Sequence, residues 1–260
     1  MSKKHKKNKN CNSANNNQTE KDYLKDESPS VHQRGKLKIN LNIRKRTDLT
    51  DNQKKFLELA LDKNTKMMFV SGPAGTSKTF LAVMSVLQLL DDKKVSDLIY
   101  LRSIVESSEN KMGYLPGTEA EKLSPYLQPL VDKLNELLPK NEVDFLLKEQ
   151  RIQGQPINYL RGINWNAKVI ILDEGQNATA KELTTLITRA GEFSKLFILS
   201  DPEQNDLNGK SGLVKMMEIF NDEESIQNGI LTFKFTEEDI VRSVLVKFIV
   251  QKLRKSNLKT

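Results

Sequence analysis

The chain has 260 residues, with 41 Lys or Arg, 34 Asp or Glu and a single cysteine. That length supports one sizeable core with room for a small subdomain. No apolar run is long enough to span a bilayer, and a lone cysteine excludes an internal disulfide, which fits a reducing cytoplasm. The net charge of +7 sits at one end: residues 1–46 hold 13 basic against 4 acidic residues, and the remainder holds 28 against 30.

Residues 1–35 are rich in Lys, Asn and Ser without an apolar period, and read as a disordered low-complexity tail. No apolar segment follows the first lysines, so no secretory signal is read there. His5 and His32 both fall in this region, and no His/Cys cluster suggests zinc. Two roles fit the tail. It is either a solvated arm that aids solubility, or a polycation that binds RNA or DNA phosphates with release of counterions. The alternation from Lys36 to Ile43 predicts a short strand or an extended arm. The folded domain is expected over 47–260.

Helical spacing after an Asp/Asn start predicts a helix over 51–61. Lys66–Val70 reads as a buried strand, and 80–90 as a helix. Ser96–Arg102 is a second strand. Residues 120–150 read as helices broken at Pro125, Pro129 and Pro139. Lys168–Leu172, Leu196–Ser200 and Ile230–Phe235 are three more strands, with helices over 180–189, 213–220 and 237–253. Strands alternating with helices predict an α/β fold, a parallel sheet sandwiched between helices.

Between the first strand and its helix stands Gly72-Pro73-Ala74-Gly75-Thr76-Ser77-Lys78-Thr79. It matches the phosphate-binding loop pattern G-x-x-x-x-G-K-[ST] except that Ser77 replaces the second glycine. Such a loop wraps phosphates in backbone N–H groups at a helix N-terminus. Lys78 would add charge near the β and γ phosphates, and the Thr79 hydroxyl would reach Mg²⁺. Ser77 would strain the loop if its φ must be positive, or crowd the phosphates. Phe80 follows directly and joins the candidate nucleotide contacts.

The strand 168–172 runs into Asp173-Glu174, a Walker B arrangement. Asp173 would hold the metal and Glu174 would polarise the attacking water. The next strand ends in Ser200-Asp201-Pro202-Glu203-Gln204, where Gln204 would sense the γ phosphate. Gln53 is a candidate for pairing with adenine, against the alternative of an exposed helix residue. Arg102, Arg161, Arg189 and Arg242 are candidates for stabilising transition-state charge, across a subunit boundary if the chain assembles.

Taken together these segments resemble the PhoH-like P-loop ATPases, related to the core of superfamily-one helicases. The matching segments are Gly72–Thr79 with Phe80-Leu81-Ala82, Val105–Glu109, Gly113–Gly117, Glu121–Leu130, Pro156–Gly162, Leu172–Thr179, Leu186–Arg189, Ser194-Lys195, Ser200–Asp206 and Asp239–Arg242. They cover roughly 50–250, as in compact stand-alone members, many of them from bacteriophages. The resemblance implies a RecA-like P-loop NTPase fold, ATP binding with Mg²⁺-dependent hydrolysis, a hexameric ring and action on RNA or single-stranded nucleic acid, with helicase activity as one form of it. The departures are Ser77, Gly175 for the usual alanine, Ser200 for the usual glycine and Ser243 for the usual histidine. A second expectation, motivated by Ser77, is an ATP-binding switch or scaffold that hydrolyses little.

Overall fold

In the computed structural model the described residues are 35–103, 119–160, 165–201, 204, 211–241, 248 and 252, with side chains from 127 onward in the second block and Tyr159 excepted. Residues 1–34 of the expected tail, the segments 105–109 and 113–117, Arg161, Arg242 and Ser243 lie outside them.

Six strands form one sheet in the order β3-β2-β4-β5-β1-β6, and every neighbouring pair is parallel. They are β1 (Met67–Ser71), β2 (Asp97–Arg102), β3 (Ile152–Pro156), β4 (Lys168–Asp173), β5 (Lys195–Ser200) and β6 (Ile230–Lys234). Within the central strands successive side chains enter two different cores. Met68, Val70, Leu98, Tyr100, Val169, Ile171, Phe197 and Leu199 join one. Phe69, Ile99, Leu101, Ile170, Leu172, Leu196 and Ile198 join the other. A strand buried on both faces needs apolar residues at every position, which is why these runs lack polar alternation.

The first face is covered by α1 (Asp51–Leu61), α2 (Lys78–Asp91), α3 (Glu119–Leu137) and α4 (Lys140–Lys148), and the second by α5 (Ala180–Ile187) and α6 (Leu213–Ile219). A short α7 (Glu223–Gln227) precedes β6. The strand carrying the phosphate loop and the strand ending in Asp173-Glu174 flank β5. All three carboxyl ends therefore open on one edge of the sheet, where ligands of open parallel sheets bind.

Several expectations need correction. Helix α3 runs through Pro125 and Pro129 without a break. Its buried Leu130, Leu134 and Leu137 recur at helical spacing, and this packing outweighs the donors that proline lacks. Only Pro139 separates two helices, as the N-cap of α4. Strand β3 was not foreseen: Ile152-Gln153-Gly154-Gln155-Pro156 has two Gln, a Gly and a Pro, tolerable because β3 is an edge. The glycine has a packing reason, since a Cβ there would come within 2.4 Å of Leu127 Cδ2.

The alternation at 36–43 yields an extended arm and no strand. Leu37 and Leu41 are buried in the first core, Leu41 N–H donates to Asp91 Oδ1 at 2.8 Å, and Arg44 N–H donates to the Leu137 carbonyl at 2.8 Å. The packed body thus begins upstream of residue 47, and residues 35–46 belong to it. The helix expected from Glu237 does not start there. Residues Glu237–Asp239 make one 3-10 turn capped by Thr236, after which Val241 N–H donates to the Gly75 carbonyl at 3.0 Å. That bond draws the chain onto the phosphate loop; farther on, Phe248 and Lys252 are helical as expected, and the rest of 242–253 lies outside the described residues.

Candidate active site

The turn after β1 approaches the segment after β6 so closely that only glycine fits at its first position. A Cβ on Gly72 would lie 2.6 Å from Phe235 Cβ. Gly75 (φ 88°) and Ser77 (φ 66°, ψ 24°) both adopt the left-handed region. Ser77 therefore takes the backbone conformation for which glycine is suited, and stands as the residue before α2. The first turn of α2 presents N–H groups without intrahelical acceptors toward the cleft. The left-handed conformation costs an L-residue about 1–2 kcal/mol, more than the roughly 0.4–1 kcal/mol of unfolded-state entropy that glycine adds. Ser77→Gly is expected to raise Tm by about 2 °C in calorimetry; a lower Tm would show that Ser77 is unstrained.

A cleft of about 560 Å³ opens above the sheet edge, lined among others by Ser77, Lys78, Thr79, Asp173, Glu174 and Gln204. Five of the expected catalytic or metal-binding residues thus meet in one place. Ala74, Gly75 and Phe80 line it too. Gly72, Pro73 and Thr76 support the loop from behind: Lys78 Nζ donates to the Gly72 and Pro73 carbonyls at 2.7 and 2.9 Å, and Thr76 Oγ1 donates to Pro73 O at 2.9 Å. Burial pulls the Lys78 ammonium below its ordinary range, while Asp201, Asp173 and Glu174 pull it up.

Asp173 is nearly buried, and Thr79 Oγ1 lies 3.2 Å from both its carboxylate oxygens. Tyr100 Oη donates to Asp173 Oδ2 at 2.6 Å, and Glu174 N–H donates to Asp173 Oδ1 at 3.1 Å. Burial, with the Asp173 charge and hydrogen bond, pushes the Tyr100 phenol far above its usual range, so it stays a donor. Among the described residues no group of three or more His, Cys, Asp or Glu could hold a metal. A hydroxyl and one carboxylate beside a phosphate loop nevertheless fit Mg²⁺, which takes few protein oxygens and completes its shell with water and substrate phosphates.

Glu174 is a second non-glycine residue in the left-handed region, at φ 55°. Gln176 restrains its side chain. Buried at 1% exposure, Gln176 donates from Nε2 to Glu174 Oε2 at 2.6 Å and to the Gln204 carbonyl at 3.2 Å, while its Oε1 accepts the Asp201 N–H at 3.0 Å. One amide thus ties the carboxylate that would polarise water to the segment carrying Gln204. Gln176 was visible only as part of the family-like run, and Tyr100 only as a strand residue.

Gln53 is neither an adenine reader here nor an exposed helix residue. It is fully buried. Its Oε1 accepts the Thr50 N–H at 3.1 Å in the capping box of α1, and its Nε2 donates to the Thr76 and Asp239 carbonyls at 3.3 and 3.1 Å. It clamps the loop from outside the cleft. Arg46, from the arm, takes up a place on the cleft wall that composition did not reveal. Its guanidinium carbon lies 5.2 Å from the Phe80 ring centroid, and its fork grips Asp48 with two bonds of 2.6 Å.

Of the described candidate arginines, Arg102 ends β2 in register with Asp173 but is not among the residues lining the cleft. Arg189 follows α5, and its carbonyl accepts the Trp165 N–H at 3.1 Å. Trp165 precedes β4, so Arg189 stands at the amino edge of the sheet, opposite the cleft of its own chain. Within its own chain it stands away from that site, which leaves only the expected role across a subunit boundary.

A phosphate loop on a six-stranded parallel sheet between helices, with a carboxylate pair ending a nearby strand, defines a P-loop NTPase with a RecA-like core. The family model described as PhoH-like protein matches residues 44–254, and the chain belongs to the PhoH-like family. It is 39% identical over 203 residues to a PhoH-like protein of Mycobacterium tuberculosis, covering 77% of this chain and 56% of that one. A PhoH-like protein of Bacillus subtilis is 35% identical, covering 76% and 61%. Protein PhoH of Escherichia coli is 32% identical, covering 76% and 55%. The chain thus spans little more than half the length of these curated relatives. Among solved structures, the large terminase of a thermophilic bacteriophage shares the fold, with TM-score 0.51 and 13% identity over 80% of this chain and 50% of that one. Among the described residues no helix is long and apolar enough to cross a membrane.

Proposed function

We propose that this protein is a Mg²⁺-dependent ATPase that acts on RNA or single-stranded nucleic acid as a ring of subunits. The observation carrying this reading is the convergence of Lys78, Thr79, Asp173, Glu174 and Gln204 on one cleft. A structure of the same phage terminase, with the same fold, was solved with ATP-gamma-S, which supports a nucleoside triphosphate as the ligand.

Lys78 is the loop's cation. In the structure it holds two loop carbonyls, and with nucleotide bound it would turn to the β and γ phosphates. Thr79 and Asp173 would hold Mg²⁺, whose charge supplies Lewis-acid stabilisation of the phosphates. Glu174 accepts a hydrogen bond from water and aligns it for in-line attack on the γ phosphorus. Gln176 fixes the direction of that carboxylate. Gln204 contacts the γ phosphate or the water and reports its loss to the segment around it.

In this reading a neighbouring subunit of a hexamer would complete the nucleotide cleft. Arg242 is the arginine finger in this reading. It follows Val241, which lines the cleft and is bonded to Gly75. Arg189 would serve only across a subunit boundary. The RNA partner rests on the basic tail, net +9 over residues 1–46, and on the family resemblance.

One observation favours a second reading, an ATP-binding switch that hydrolyses little. Ser77 brings a Cβ and hydroxyl to a left-handed position that lines the cleft. Steady-state phosphate release, with and without single-stranded RNA, separates the two. Turnover that rises with RNA is expected; tight ATP binding with no release in either condition would establish the switch.

A further inference from the structure

Tyr100 is the largest fully buried side chain among the described residues. It sits in β2 opposite Ile171, two residues from the strand end that pairs with Asp173. A phenylalanine would fill that core position without a polar atom, whereas a buried hydroxyl must find a partner. Its partner is the carboxylate that Thr79 also faces. Tyr100 Oη to Asp173 Oδ2 is 2.6 Å, shorter than the 3.2 Å separating Thr79 Oγ1 from each Asp173 oxygen. The chain's own N–H at Glu174 takes Oδ1. Asp173 therefore has one oxygen fixed by the sheet and the other by the turn, with Thr79 placed against both.

We propose that Tyr100 is a positioning residue for the metal. Its hydroxyl locks the Asp173 carboxylate in the rotation that serves Mg²⁺ beside Thr79, without touching nucleotide or metal. The inference rests on the reading of Asp173 and Thr79 as the metal-holding pair. Without it, Asp173 Oδ2 would be held only by the longer 3.2 Å contact from Thr79, which is itself the other metal-holding group in this reading. Partners that orient a ligating carboxylate contribute about 10- to 100-fold to metal affinity.

Tyr100→Phe tests this, because it removes one oxygen and keeps the ring. Binding of a fluorescent ATP analogue to the full chain is titrated with Mg²⁺, and repeated in EDTA. The expected result is a Mg²⁺ midpoint at least about 10-fold higher in Tyr100→Phe than in wild type, with metal-free binding unchanged. An unchanged midpoint would overturn the proposal and leave Tyr100 a core residue whose hydroxyl merely uses Asp173, whatever the change in Tm. Equal weakening with and without Mg²⁺ would overturn it too, by showing general damage to the cleft. If wild-type binding is itself indifferent to Mg²⁺, the metal reading of Asp173 and Thr79 fails, and the proposal falls with it. That outcome is recognised from wild type alone, before the variant is compared.

Discussion

Glu174→Gln is expected to bind ATP as wild type does and to lose turnover by about 100- to 10,000-fold, the range for removal of a positioned general base. The substitution is nearly isosteric. The Glu174 oxygen that accepts the Gln176 amide at 2.6 Å can be replaced by an amide oxygen, so the left-handed backbone at φ 55° and the link to Gln204 have no reason to change. What is lost is the negative charge that draws the proton of the attacking water. Nucleotide binding depends on the loop, Lys78 and the metal pair, none of which contacts the altered atom through a hydrogen bond in the structure. Binding by fluorescence and release of phosphate, measured on the same preparation, check both halves. Wild-type turnover in the variant would remove Glu174 from the mechanism.

Lys78→Ala is expected to act on binding itself. A charge-assisted hydrogen bond is worth about 1.5–3 kcal/mol, so ATP affinity should fall by roughly 10- to 150-fold. The local electrostatics push in the same direction, because Asp201, Asp173 and Glu174 all act on this ammonium and would face the triphosphate uncompensated. A pH signature accompanies the loss. Burial holds Lys78 below the ordinary lysine range, so raising the pH deprotonates it before exposed lysines titrate. Wild-type affinity should decline over that alkaline range, and Lys78→Ala should show no such decline. Fluorescence titrations of both proteins across pH provide the check; equal affinities at neutral pH would contradict the role.

The candidate residues that meet in the cleft are those whose chemistry is bound to a short spacing. Lys78 and Thr79 are fixed by the loop that contains them. Asp173 and Glu174 are recognisable because four apolar residues deliver them to the end of a strand. Ser77 was legible even as a departure, since a glycine position with positive φ can be inferred from the loop and is observed at 66°. Gln53 misled because a polar side chain after a helix start gives no sign that it is fully buried beneath the loop. The partners that bury it, Thr76 and Asp239, are 23 and 186 residues away.

Other parts were hidden by composition. Arg46 lies at the end of a lysine- and asparagine-rich region, and only the packing of Leu37 and Leu41 against the body shows that the arm ending in Arg46 is part of the fold that lines the cleft. Strand β3 had too few apolar residues to announce itself, and its place at the sheet edge is what permits them. Tyr100 read as one more β-forming aromatic residue. Its hydroxyl acquires meaning only when β2 and β4 are set side by side, which no local pattern in either strand reveals.

The most direct test of the account is a single turnover on the full chain. The protein, in excess over γ-labelled ATP with Mg²⁺ and single-stranded RNA, is quenched in acid and the bound nucleotide identified. The account predicts that wild type converts the ATP to ADP and free phosphate, while Glu174→Gln returns it intact. Recovery of intact, bound ATP from wild type would contradict it.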